Sequence, residues 1–263
     1  MEFIEVVRGE SPLVLGLPHS GTDLPATVER RLNHHGKARI DTDWHIERLY
    51  ADLVEDVTIV RTRLHRYAID VNRDPSGESL YPGQATTGLC PITDFDGRDI
   101  YQDGAAPDER EVTQRLADWH APYHAALRSE LARVRDRHGF VILYDCHSIR
   151  SVIPRLFEKI LPDFNIGTDS GRTCSSQIEA AVLSRCEAAR HYTTILNGRF
   201  RGGWTTRHYG LPGEGMHAIQ MELAQSTYLS EEAPPWRYDA ARAAPLRGVL
   251  TDILETLRDW RPK

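Results

Sequence analysis

The chain has no apolar run approaching the roughly 20 residues that a membrane-spanning helix requires, which speaks against a membrane partner. The opening residues, MEFIEVVRGESP, carry acids early and lack a basic n-region, so they do not read as a signal peptide. Basic residues form no stripe, and the formal net charge of −6 argues against nucleic acid. The cysteines, Cys90, Cys146, Cys174 and Cys186, show neither zinc-finger spacing nor a disulfide framework. Reduced thiols in a cytoplasmic protein are the plain expectation. A bound metal then has to use nitrogen and oxygen ligands. Repeats, low-complexity tracts and long Pro/Gly/Ser linkers are also missing, so the 263 residues are expected to form a single domain over 1–263.

What is present is an alternation of strand and helix. Leu13, Val14, Leu15 and Leu17 run into His19, and Phe140 to Tyr144 run into Asp145 and His147. Continuous apolar runs of this kind read as interior strands covered on both faces. Further strands are expected over 57–64, 192–197 and 216–223, with 66–72 (RYAIDVN) continuing as strand or strand edge. Helices are expected over 26–33, 44–53, 175–190 and 246–260. A long amphipathic helix is expected over 108–138, bent at Pro122 and capped by Gly139. The Gly-, Pro-, Asp- and Thr-rich stretch 74–107 reads as a long functional loop. The pattern predicts a three-layer α/β/α fold with a mixed, mostly parallel sheet.

In open α/β sheets ligands bind beyond the carboxyl ends of strands, where PHSG (18–21) and DCHS (145–148) deliver His19 and His147. A lone histidine is more often a surface or satisfied core residue, but Asp145 lies two residues before His147, placed to orient a ligand imidazole. A catalytic metal needs a third ligand. Asp23 and Asp43 are available, His45 is a further nitrogen nearby, and by position alone either aspartate also suits a helix cap. On a strand, Arg66, Asp70 and Asn72 share one face; with Arg73 they suit an anionic small molecule, although a surface ion pair explains them too. Arg150 follows His147 by three residues. Glu222 interrupts the apolar HAIQMELA, as a general base or as an outward, solvated glutamate.

Together the strings PHSGTDLP, DTDWHIERLY, RYAIDVNR, SLYPGQATTGLCP, DCHSIR, PRLF, NGRFRGGWTTRHYG and HAIQMELAQSTY resemble the N-formylglutamate deformylases (amidohydrolases) of histidine degradation. The resemblance implies a fold like that of the zinc carboxypeptidases and aspartoacylases, and hydrolysis of N-formyl-L-glutamate to L-glutamate and formate. It implies His19, Asp43 and His147 as metal ligands, with Asp23 in reserve for Asp43. Zn²⁺ is the implied ion, and Co²⁺, Mn²⁺ or Fe²⁺ also suit such ligands. Glu222 is the implied catalytic glutamate and Arg66 the group that polarises the scissile carbonyl. Asn72, Arg73 and Arg150 are the implied holders of substrate carboxylates. A deacylase of another N-acyl amino acid and a non-catalytic metal or amino-acid binder are the rival readings.

Overall fold

The computed structural model describes residues 3–79 and 83–262. Seven strands form one sheet in the order β1-β3-β2-β4-β7-β5-β6. They are β1 (Ile4–Val7), β2 (Leu13–Leu17), β3 (Thr58–Thr62), β4 (Val141–Ile149), β5 (Phe164–Gly167), β6 (Thr194–Leu196) and β7 (Met216–Ala224). The central strands β3, β2, β4 and β7 run parallel; β1 pairs antiparallel with β3, and β5 antiparallel with β7. The mixed, mostly parallel sheet is as the sequence predicts. Edge strand β1 and the short β5 were not expected, because each is only four residues long and so carries little pattern.

Short helices α1 (Ala26–Glu29), α2 (His34–Ala38) and α3 (Ile46–Tyr50) follow β2. The longer α4 (Glu109–Arg115) and α5 (Ala121–His138) flank a π-turn at Leu116–His120, and α6 (Ser176–Ala188), α7 (Trp204–Tyr209) and α8 (Ala240–Asp259) complete the set. The helix expected over 26–33 breaks because Asn33 caps α2 instead, accepting from the Gly36 N–H at 3.0 Å. The one expected over 44–53 shrinks to α3, since His45 sits in the left-handed region (φ 60°).

Residues 66–72 do not extend the sheet. Their donors turn inward instead: Ala68 N–H donates to His65 O, and Asp70 N–H to Leu89 O. Within the expected loop at 74–107, the described residues form no helix or strand beyond isolated bridges, and 80–82 lie outside the described residues.

Alternation along the central strands sends successive side chains to opposite faces. Leu13, Leu15, Ile142, Tyr144, Ile219 and Met221 pack with α3, α6 and α8 in one apolar core. Val14, Val60, Val141, Leu143 and Ala218 pack beneath α5, against Tyr123, Leu127, Leu131 and Val134. No helix among the described residues is long and apolar enough to cross a membrane.

Candidate metal centre

The face beneath α5 changes character toward the carboxyl ends of β4 and β7. There Val141, Leu143 and Ala218 give way to Asp145 and His147 on β4, and to Gln220 and Glu222 on β7. Parallel register sets Asp145 beside Gln220 and His147 beside Glu222. His19 arrives from the end of the neighbouring β2, and the PHSG glycine has a steric reason. A Cβ on Gly21 would lie 2.2 Å from the Arg63 carbonyl, so only glycine lets the chain turn so close to the segment after β3. The Asp43 N–H donates to the His19 carbonyl at 3.1 Å, bringing the third residue to the same edge.

Three ligand atoms converge. His19 Nδ1 and His147 Nδ1 are 3.2 Å apart, and Asp43 Oδ2 lies 3.9 Å and 3.4 Å from them. A tetrahedral ion with bonds of about 2.0–2.1 Å separates its ligand atoms by roughly 3.3 Å, so the set fits a small divalent cation. Among the described residues this is the one such group of His, Cys, Asp and Glu, and all three members are buried. The opposite ring nitrogens face carboxylates: His19 Nε2 is 2.6 Å from Asp70 Oδ1, and His147 Nε2 is 3.1 Å from Asp145 Oδ1. Such backing fixes ring orientation and tautomer, leaving Nδ1 for the ion. Asp43 is held in turn, its Oδ1 accepting from Arg66 Nη2 at 3.1 Å and its Oδ2 from the Ser148 N–H at 3.0 Å.

Burial, followed by the nearby Arg66 charge, pushes His19 down to about 4, so its imidazole is neutral near pH 7. His147 moves the other way: burial opposes its charge, but Asp145 and Asp43 prevail and raise its pKa well above the usual value. Burial drives Glu222 up to about 8. For Asp70 burial is outweighed by Arg73, His19 and Arg66, which hold its carboxyl well below the ordinary range.

The centre forms one wall of a cavity, open to solvent, whose lining includes Arg66, Asn72, Arg73 and Glu222. Arg66 also stacks over Phe95, 5.1 Å from the ring centroid. Asn72 Nδ2 lies 3.1 Å from His147 Nε2, and its Oδ1 accepts from the Thr205 N–H at 2.9 Å. Arg73 donates to Thr87 O and Thr87 Oγ1 at the mouth.

Not every residue singled out from the sequence lines the cavity. Arg150 pairs instead with Asp96 at 3.1 Å, and Asp41 lies 3.9 Å away. Asp23 binds Arg63 at 3.0 Å with 44% of its side chain exposed, whereas Asp43 exposes 2%. His45 reaches the Trp236 carbonyl at 2.7 Å. Asp70, grouped in the sequence with an anion-binding strand face, backs His19 instead; no strand period exists there to reveal it. Arg199 was missed. It lines the cavity and ties Leu156 O to Ala85 O, and its only signal was the string NGRFRGGW.

Residues 11–229 match the N-formylglutamate amidohydrolase family. The chain belongs to that family. It is 44% identical over 261 residues to an N-formylglutamate deformylase of Pseudomonas aeruginosa, covering 98% of this chain and 97% of the relative. It is 43% identical over 255 residues to the enzyme of that name from Pseudomonas putida, covering 96% and 94%. The solved N-formylglutamate amidohydrolase of Ralstonia eutropha superposes with a TM-score of 0.81 at 26% identity, covering 98% of each chain. A structure from Agrobacterium tumefaciens shares the fold, with a TM-score of 0.72 at 20% identity over 98% of this chain and 96% of that one.

Proposed function

We propose that this family member hydrolyses N-formyl-L-glutamate to L-glutamate and formate, in the cytoplasm and in the service of histidine degradation. The ion is divalent, with Zn²⁺ the first choice, and His19, Asp43 and His147 hold it. The observation that carries this reading is the convergence of both imidazole Nδ1 atoms and the Asp43 carboxylate beside a cavity that Glu222 and Arg66 also line. An ion held by these three residues would supply Lewis acidity, lowering the pKa of a bound water and polarising the formyl carbonyl.

The chain's own groups do the rest. Glu222, a buried carboxylate at the cavity wall, takes a proton from the attacking water. It returns that proton to the glutamate nitrogen as the C–N bond breaks. Arg66 keeps a fixed positive charge at the wall, where negative charge grows on the formyl oxygen. With His147 Nδ1 turned to a cation, Nε2 carries its hydrogen toward Asp145, and the Asn72 amide hydrogens are left for the substrate. Asn72 and Arg73 then hold a substrate carboxylate and fix the formamide in place.

Formate release supplies the test. The zinc-loaded protein is expected to release formate from N-formyl-L-glutamate faster than it deacylates N-acetylaspartate or N-succinylglutamate. Chelation is expected to stop the reaction, and added zinc to restore it. Turnover that survives complete metal removal would sink the reading.

A further inference from the structure

Between α4 and α5 the helix opens into a π-turn at Leu116–His120, directly before Pro122. Proline has no N–H to continue the ladder, and π-turns of this kind recur at functional sites. The turn and the first coil of α5 present His120 and His124 on one side. His120 Nε2 lies 3.0 Å from the Arg73 carbonyl, and His124 Nε2 lies 2.7 Å from the Val71 carbonyl. A carbonyl only accepts, so both Nε2 atoms carry hydrogen. His124 Nδ1 is then an acceptor, 3.1 Å from the Tyr209 hydroxyl. The Trp204 ring of α7 packs on both imidazoles, with centroids 5.6 Å and 4.6 Å away.

The two gripped carbonyls flank a single residue, Asn72, whose neighbours hold its remaining groups. Its N–H donates to Asp70 Oδ1 at 2.9 Å, and its side-chain oxygen accepts from the Thr205 N–H. Neither histidine lines the cavity, while Asn72 and Arg73 do.

We propose that His120 and His124 are positioning residues, a paired clamp on the Val71 and Arg73 carbonyls that sets the Asn72 amide and the Arg73 guanidinium for substrate. The clamp rests on the reading above that Asn72 contacts the substrate. Burial lowers the pKa of both histidines, that of His124 to about 3, so the two donors keep one tautomer through the working pH range.

The test uses the zinc-loaded protein with His120→Leu, His124→Leu, the matching glutamine variants, and Asn72→Ala alone and combined. A glutamine amide reaches about as far as Nε2 and restores a donor. Each leucine variant is expected to speed hydrogen exchange in the peptide around 70–74 and to raise KM for N-formyl-L-glutamate. The rise expected is about two- to tenfold, the range for one lost hydrogen bond, with kcat and zinc content retained. The glutamine variants are expected to revert both effects. Combined with Asn72→Ala, the leucine changes are expected to add nothing further to KM. Unchanged exchange in the leucine variants, or full additivity with Asn72→Ala, overturns the clamp. If Asn72→Ala itself leaves KM unchanged, the substrate role of Asn72 falls, and the exchange data alone decide the clamp.

Discussion

Strands β4 and β7 present two unlike faces made from alternate residues of the same strings. Toward α6 and α8 they offer Ile142, Tyr144, Cys146, Ile219, Met221 and Leu223, an apolar stretch broken by the Tyr144 phenol and bounded by His217 and Ser148. On the opposite face Val141, Leu143 and Ala218 yield to Asp145, His147, Gln220 and Glu222, all buried. The first face lowers the free energy of the fold by removing apolar area from water. The second raises it, because carboxylates out of water are costly unless fully paired. Asp70 Oδ2 is buried without a hydrogen-bond partner, and Asp145 Oδ1 has only the His147 ring nitrogen, 3.1 Å away. Four carboxylates (Asp43, Asp70, Asp145 and Glu222) crowd an edge where Arg66 and Arg73 supply the guanidinium charge. With both imidazoles neutral, as ligation of an ion requires, and all four carboxyl groups ionised, the carboxylates would outnumber the guanidinium groups, an imbalance that a divalent cation would offset. The difference separates what builds the domain from what it is built for.

Substitutions on the two faces should therefore fail in different ways. Glu222→Gln removes the proton carrier while keeping shape, so turnover is expected to drop by about 10²–10⁴-fold with zinc content unchanged. Metal analysis alongside formate release checks it, and near-normal turnover would take Glu222 out of the chemistry. Asp145→Asn leaves the ligand atoms in place but weakens the backing of His147. Zinc affinity is expected to fall by about 10–100-fold, read by competition with a chelating dye. Met221→Ala, one residue away on the other face, is expected to cost about 2–5 kcal/mol in denaturant unfolding. Turnover per folded molecule should scarcely change; a large loss there would break the division between the faces.

These two faces also explain what could be read from the sequence. Strong apolar runs with flanking breakers located β2, β4, β7 and the α4–α5 helix, and Ser175 is the N-cap of α6. The expected alternatives for Asp43 and Glu222 could not be resolved by pattern, because a cap, a solvated glutamate and a buried ligand look alike along a chain. Only the neighbours decide: Asp43 faces Arg66 and the Ser148 N–H, and Glu222 is buried beside Gln220. Arg66, Asp70 and Asn72 do converge, yet by a turn rather than by the shared strand face that even spacing suggested. Arg150 shows the converse, being near His147 in sequence and committed elsewhere in space.

The smallest expected effect sharpens the comparison furthest, because it asks whether the polar face is paid for in stability. In metal-stripped protein, burial raises the Glu222 carboxyl from 4.5 to about 8. The unfolded chain loses that proton near 4.5, whereas the native state keeps it until near 8. The contribution is thus fully present below 4.5 and drains away as the pH climbs toward 8. Glutamine has no proton to lose. Melting both proteins across this range should show the Glu222→Gln variant gaining on the wild type as pH rises, with the gap levelling off above about 8. The Met221→Ala deficit should stay flat over the same range, since that substitution removes no titratable group. A gap for Glu222→Gln that is equally flat would mean its carboxyl is solvated, and the contrast between the two faces would lose its electrostatic basis.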